Sequence, residues 1–281
     1  MDWSSNLSAL SSYKLPVGDW MESLVDMLID HGGAFFDGVA VCLEYLIQGL
    51  TEALLFAPPW LFIAVIVAFA AWRHRNWSSP LFALVALGLI WNMGYWEETI
   101  ETLALVLFAT GFCVLFGVPI GIAAAHRPWL YRGMRPLLDL MQTIPTFVYL
   151  IPTLTLFGLG VVPGLISTVI FAIAAPIRLT HLGITQVPEE LLEAGKAFGC
   201  KPSVLLLKVE IPAAMSSIMA GVTQCIMLSL SMVVIAALVG ADGLGKPVVR
   251  ALNTVDIATG FEAGLAIVLI AILLDRLFKR A

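Results

Sequence analysis

The sequence predicts an all-α fold, a polytopic membrane helix bundle of about seven transmembrane helices preceded by N-terminal amphipathic helices. Three observations carry that expectation. Of 281 residues, 60% are hydrophobic and 12% charged, with a mean hydropathy of +0.95. A soluble domain carries roughly a quarter charged residues, so these charges cannot cover a water-facing surface, and a soluble enzyme is excluded. Uncharged runs recur at the length a bilayer demands, about 20 residues for a hydrocarbon layer that leaves no partner for an open backbone group. The formal net charge of −5 argues against a nucleic-acid partner, whose phosphates require a basic face.

Residues 1–53 form a segment of their own. Up to residue 54 there are eight acids (Asp2, Asp19, Glu22, Asp26, Asp30, Asp37, Glu44, Glu52) and one base, Lys14, a balance of −7 against +2 for the remainder. The segment lacks the basic start and continuous apolar centre of a signal peptide. Asp19 and Glu22 stand at capping-box spacing behind Pro16 and Gly18. Asp19, Glu22, Asp26 and Asp30 then recur at helical intervals among Trp20, Leu24, Met27 and Leu28, up to an expected stop at Gly32 and Gly33. A second helix would carry Asp37, Glu44, Gln48 and Glu52 as its polar stripe. Both are too polar to span and are expected to form an extracytoplasmic tail, lying in the interface, on the bundle or against an external partner.

Residues 54–281 carry the spans. Residues 54–72, 80–96, 102–125 and 212–241 each fit one crossing, and 257–274 fits another with only Glu262 near its start. Residues 140–177 are uncharged except for Asp139 just before them and suffice for two, with Gly158, Gly160, Pro163 and Gly164 marking the turn. Lys and Arg are retained on the cytoplasmic side. Placing the loop after the first span inside puts twelve of the fifteen bases there: Arg73, Arg75, Arg127, Arg132, Arg135, Arg178, Lys196, Lys201, Lys208, Arg276, Lys279 and Arg280. Lys14, Lys246 and Arg250 stay outside, so the N-terminus is expected outside and the C-terminus in the cytoplasm. Cys42, Cys113, Cys200 and Cys225 are dispersed, with no His at ligand spacing, and no metal site is expected. His31, His74, His126 and His181 read as interfacial residues.

The cytoplasmic loop 181–211 is the most informative stretch. Pro188 suits a first helical turn, Glu189 and Glu190 complement a helix N-terminus, and Gly199 suits a C-terminal stop. A helix over 188–198 would be about 16 Å long. Ala194, Gly195 and Ala197 leave part of it open to close approach by another protein, and Leu191, Leu192 and Phe198 supply apolar anchors.

Glu193-Ala194-Gly195, three residues, Gly199, nine residues, then Val209-x-Ile211-Pro212 resembles the E-A-A…G…I-x-L-P loop of bacterial ATP-binding-cassette importer permeases, with Gly195 in place of the second Ala. Residues 136–152 (PLLDLMQTIPTFVYLIP), 176–188 (PIRLTHLGITQVP) and 228–240 (LSLSMVVIAALVG) are similar to the permeases of glycine betaine, proline betaine and choline importers. The resemblance runs from about residue 54 to the C-terminus. It implies a type I importer permease fold in the bacterial inner membrane and a non-enzymatic subunit working with a second copy of itself. Two copies of a cytoplasmic ATPase would use ATP and Mg, and an extracytoplasmic binding protein would deliver the solute; this chain itself would bind no cofactor. Glu193, Ala194, Gly195, Gly199 and Pro212 would couple to the ATPase by motif match.

Other features are weaker. Residues 240–246, GADGLGK, have phosphate-loop spacing, but Pro247 replaces the magnesium-holding Ser or Thr and no strand precedes them, so a Gly-rich turn is the better reading. Pro145 and Pro152, seven apart, would lie near one helix face and free backbone carbonyls, a pattern of cavity-lining spans or of a packed bend. Gln142, Thr143, Pro145, Phe147, Tyr149 and Pro152 are the candidate solute pathway. Asp139 is expected to pair with Arg132 or Arg135. Gly117-x-x-x-Gly121 and Gly260-x-x-x-Gly264 read as helix-packing sites. Trp91, Trp96, Phe147, Tyr149 and Phe171 are candidates for cation–π contact with a quaternary ammonium, or, for Trp91 and Trp96, interface anchors. A permease for another small solute or amino acid and a self-sufficient secondary transporter are the alternatives; the latter would require intramembrane acids near the midplane, and Asp139, Glu262 and Asp275 all fall near span ends.

Overall fold

The computed structural model describes residues 16–73 and 77–278; Lys14, His74, Arg75, Lys279 and Arg280 lie outside the described residues. Within them every regular element is helical: α1 (Val17–Leu55), α2 (Pro59–Arg73), α3 (Ser78–Asn92), α4 (Trp96–His126), α5 (Pro128–Thr143), a 3-10 turn (Thr146–Tyr149), α6 (Leu150–Phe157), α7 (Val161–Ala172), α8 (Ala174–Thr185), α9 (Glu189–Ala197), α10 (Pro202–Leu205), a π-helical turn (Leu206–Glu210), α11 (Ile211–Ala237), α12 (Gly245–Thr254) and α13 (Ile257–Phe278).

About seven transmembrane helices are expected, and α2 and α3 are shorter apolar helices beside the longer ones. Among the described residues five helical stretches are long and apolar enough to cross a membrane, or six if α5 and the 3-10 turn with α6, bent by 105°, make one broken crossing. α2 and α3 have 15 residues each, short of the roughly 20 a straight crossing needs. The first run loses its opening turn at the Pro58-Pro59 pair, and the second stops early because Gly94 takes φ +83. Neither break introduces a charge, so the length of an uncharged run alone overcounts. The turn expected after residue 157 is present, with Gly158 and Gly160 at φ +75 and +138. Pro163 and Gly164 instead fall inside α7, where proline in the first turn forfeits no hydrogen bond.

α1 also differs from expectation. It is one helix of 39 residues; Gly32 and Gly33 stay right-handed and do not stop it. The capping box is not formed, since α1 starts behind Pro16 with no side-chain cap, and Ser23 Oγ donates to the Asp19 carbonyl at 2.7 Å. α1 is long and apolar enough to cross a membrane, against the expectation that the N-terminal helices are too polar to span, and it packs on α4, α6 and α7. Phe36 meets Phe157 edge-on at 5.5 Å, Ile47 is buried against Ala109 and Leu165, and Glu52 shares a cavity with Glu101 and Gly160.

The core is built where α8 packs between α4 and α11, with α13 and α3 closing one side. Glycines set the spacing. A Cβ on Gly117 would lie 3.0 Å from Pro176, and one on Gly121 would lie 2.7 Å from the Ile177 carbonyl, so the first small-residue pair does bring α4 against α8. In the second pair only Gly260 is approached, by Ala251 at 3.3 Å from a Cβ position, and Gly264 faces open space.

Candidate functional site

The loop between α8 and α11 is organised by its own backbone chemistry. Pro188, extended at ψ 135, precedes α9, one residue later than the sequence suggested. Glu189 and Glu190 stand in the first turn and Lys196 in the last, each opposite in sign to its end of the helix dipole. At the C-terminus Gly199 donates to the Lys196 carbonyl at 2.9 Å and Cys200 to the Gly195 carbonyl at 3.1 Å, while Gly199 takes φ +72. This is a Schellman closure, in which a left-handed residue satisfies two of the helix's last carbonyls.

α9 has two faces. Inward, Leu192 packs on Ile184, Val187, Ala214 and Ile218, and Gly195 is buried. A Cβ on Gly195 would collide with Leu205 Cδ1, so the small residue there is set by the helical turn beneath it. Outward, Leu191, Ala194 and Phe198 fall at i, i+3 and i+7 on one exposed face, Leu191 47% and Phe198 88% accessible. Glu193 is exposed beside them. An apolar stripe on a nine-residue helix that is clamped at both ends offers a second protein a preformed ridge. Below it the chain passes through α10 and the π-helical turn to Glu210, which is 7% exposed and meets His126 at the end of α4.

Pro212 opens a second feature. α11 presents Pro212, Ser216, Met219, Ala220, Gln224 and Met227 to a cavity of about 950 Å³, whose mouth carries Arg73 and Phe278. The stripe repeats every three to four residues and is uncharged, with thioethers alternating with small and amide-bearing side chains. Sequence reasoning passed over it; the signal was the recurrence of Ser216, Ala220 and Gln224 in an otherwise apolar run.

The candidate pathway residues from Gln142 to Pro152 occupy the broken segment. Pro145 disfavours helix at the residue before it, so Ile144 turns to ψ 132 and α5 ends. Pro145 and Pro152 therefore do not share one helix face: Pro145 lies in the break and Pro152 in α6. Tyr149 closes the bend by donating to the Met141 carbonyl at 2.9 Å, Thr143 bonds back to the Asp139 carbonyl at 2.9 Å, and Phe147 is 60% exposed. None of the six borders the α11 cavity. Asp139 pairs with Arg178 of α8 at 2.6 Å, not with Arg132 or Arg135 of its own helix. Tyr131 stacks on His181 with ring centroids 3.5 Å apart, so α5 is fixed to α8 by an ion pair and a ring stack.

At the opposite end, Gly240 and Gly243 at φ +94 and +110 fold residues 240–246 into a tight turn. Leu244 donates its N–H to Thr102 Oγ1 at 2.8 Å and Lys246 pairs with Asp242, so the segment is packed as a turn, without the strand a phosphate loop follows. Of the five candidate aromatic residues, only Trp96 has a ring contact among the described residues, with Phe62 at 5.6 Å. The described bases segregate by end. Arg73 borders the cavity that Pro212 opens, and Arg127, Arg132, Arg135, Arg178, Lys196, Lys201 and Lys208 sit near the 181–211 loop, while Lys246 and Arg250 lie on α12 at the other end.

Comparison with known proteins follows the same lines. The family model described as binding-protein-dependent transport system inner membrane component matches residues 117–280. The glycine betaine transport system permease protein OpuAB of Bacillus subtilis (strain 168) is 45% identical over 264 residues, 94% of this chain and 93% of that protein. The glycine betaine/proline betaine transport system permease protein ProW of Escherichia coli (strain K12) is 44% identical over 94% of this chain and 74% of its own. Among solved structures, an inward-facing MetNI methionine ABC transporter shares the fold with a TM-score of 0.56 at 22% identity, covering 64% of this chain and 93% of that one.

Proposed function

The chain belongs to the family of binding-protein-dependent transport system inner membrane components, and from that premise we propose its cargo, partners and working cycle. The cargo is a quaternary ammonium compatible solute: glycine betaine, proline betaine or choline. The observation that supports this is the similarity over 94% of the chain to permeases named for glycine betaine. The quaternary ammonium of such a solute has no N–H to donate, so a passage that releases it needs polarisable and weakly polar walls more than fixed charges. The thioethers of Met219 and Met227 beside Ser216 and Gln224 supply that lining. With a second copy facing it, the α11 stripe encloses the route, and the 142–152 bend lies to its side.

The partners are a second permease copy, two copies of a cytoplasmic ATPase and an extracytoplasmic binding protein. The ATPases bind ATP and Mg; no catalytic step is assigned to this chain. Each ATPase receives α9 in a groove, with Phe198 and Leu191 as anchors and Glu193, Ala194, Gly195 and Gly199 shaping the contact. Closure of the ATPases on ATP draws the two α9 helices together and turns the route outward; hydrolysis restores the inward state. The segregation of bases at the loop end supports an orientation with that end in the cytoplasm and α1 outside.

Two measurements test this. In proteoliposomes holding the chain with its ATPase and binding protein, uptake of glycine betaine or choline is expected to require ATP; ATP-independent uptake sinks the importer reading, and uptake of an amino acid in preference to either solute sinks the cargo. Native cysteines report orientation, because Cys42 is exposed on α1 while Cys113 and Cys225 are buried. In a Cys200→Ser background, a membrane-impermeant maleimide should label intact cells at Cys42; labelling only after lysis would reverse the topology.

A further inference from the structure

We propose that the His126–Glu210 contact is the joint through which movement of α9 reaches the transmembrane core, with Glu210 as the positioning residue. The inference rests on the reading of α9 as the ATPase-docking helix and adds what lies behind it.

The geometry is specific. His126 Nδ1 lies 2.9 Å from the Ile122 carbonyl, an oxygen that only accepts, so Nδ1 carries a hydrogen and the ring's orientation is fixed by its own helix. Nε2 lies 2.8 Å from Glu210 Oε2, within ion-pair range but outside hydrogen-bond geometry. That carboxylate is buried, its side chain 9% exposed, and Oε2 makes no hydrogen bond among the described residues, leaving the His126 ion pair as the described contact that offsets its charge. A buried carboxyl with a single partner is held by that partner, because losing it leaves the group unsatisfied.

Position gives the contact its meaning. Glu210 ends the π-helical turn and directly precedes α11, while His126 ends α4. π-turns sit in helices at places where the backbone register yields. On the other side of that turn, Leu205 supports Gly195 of α9. Beside the Leu192 packing, a cavity of about 470 Å³ opens between α9 and the bundle, bordered by His126, Leu192, Lys196, Cys200, Leu205 and Glu210. The packing behind α9 is therefore open, and α9 has room to shift. The described polar link across this region ties the start of α11, the helix with the cavity-facing stripe, to the end of α4. When α9 moves, Leu205 and the π-turn are displaced, and the Glu210–His126 link converts that displacement into a joint movement of α4 and α11.

The test uses the full transporter in proteoliposomes and reads solute carried per ATP hydrolysed. A merely structural loss lowers transport and hydrolysis together, whereas a loose joint lowers their ratio. E210Q and H126Q are each expected to lower the ratio about tenfold, the double variant no further, and H126K, which restores a cation at the end of α4, to recover most of it. An unchanged ratio in both single variants, or losses that multiply in the double, overturns the proposal. Should E210Q fail to assemble, H126Q carries the same test, since its side chain is 47% exposed. Phe198→Ala is measured alongside for retention of the ATPase on purification. Full retention refutes the docking helix itself, a result separate from the ratio that decides the joint.

Discussion

Gly199→Val is expected to abolish solute uptake while the chain still inserts in the membrane. The reason is backbone conformation, because a Cβ at Gly199 would meet nothing within 4 Å. Gly199 takes φ +72, the left-handed region, and from there its N–H and that of Cys200 close α9 onto Lys196 and Gly195. An L-residue in that region costs roughly 1–2 kcal/mol, and a β-branched one more, since its second γ-carbon adds to the crowding. α9 has nine residues and too few internal hydrogen bonds to absorb such a loss. The expected result is an unwound last turn that carries Phe198 off the exposed face.

A graded series separates this cause from size. Asn enters the left-handed region most readily after Gly, so Gly199→Asn should keep most uptake, Gly199→Ala should lose about tenfold, and Gly199→Val should fall to background. Uptake in proteoliposomes and co-purification of the ATPase are the readouts. A series that follows side-chain volume, with Asn worse than Ala, would show that the position contacts a partner directly and that the Schellman closure is not what matters.

That loop was legible in the sequence because its chemistry is local. A proline before α9, acids in its first turn, a lysine in its last and a glycine behind it are each read from neighbours a few residues apart. The spans were less legible. Hydropathy records whether a residue tolerates lipid and is blind to where the backbone breaks, so Pro58-Pro59 and Gly94 disappeared inside apolar runs, and Pro145, read as a bend or a freed carbonyl within a span, ends α5 outright. Gly32 and Gly33 erred the other way: each lowers helix propensity by about 1 kcal/mol relative to alanine, which weakens α1 without ending it.

Contacts distant in sequence were out of reach altogether. Asp139 had two arginines within a helical turn or two, yet pairs with Arg178, because α5 packs along α8 and brings the carboxylate to the guanidinium. The same holds for Glu210, an acid among the apolar residues of the motif's end whose partner lies at the end of α4. The α11 stripe is an intermediate case. Its period was visible, but small and weakly polar residues on a span usually mark packing, and only the position of α11 at an open cavity separates the two uses.

Ala220→Trp tests that use, and its expected effect is as large as that of Gly199→Val. Ala220 is exposed and faces the cavity of about 950 Å³, so an indole there meets no neighbour within the chain and should leave the fold intact. Trp costs well under 1 kcal/mol relative to Ala in a helix interior, too little to unwind a helix of 27 residues. In the proposed dimer, the side chain enters the space between facing copies of α11. Uptake should fall more than tenfold while the ATPase still co-purifies. Leu115→Trp is the control: Leu115 is 66% exposed on α4 and does not border that cavity, so the same indole should be nearly silent there. Uptake by Ala220→Trp within twofold of the parent would place the route elsewhere and direct attention back to the bend around Pro145, where Phe147 and Tyr149 stand. Gln224→Leu refines a positive result. It keeps the volume and removes the one amide of the stripe, so a loss in transport without loss of assembly would assign Gln224 to the moving solute, and retained transport would make the stripe a passage defined by size alone.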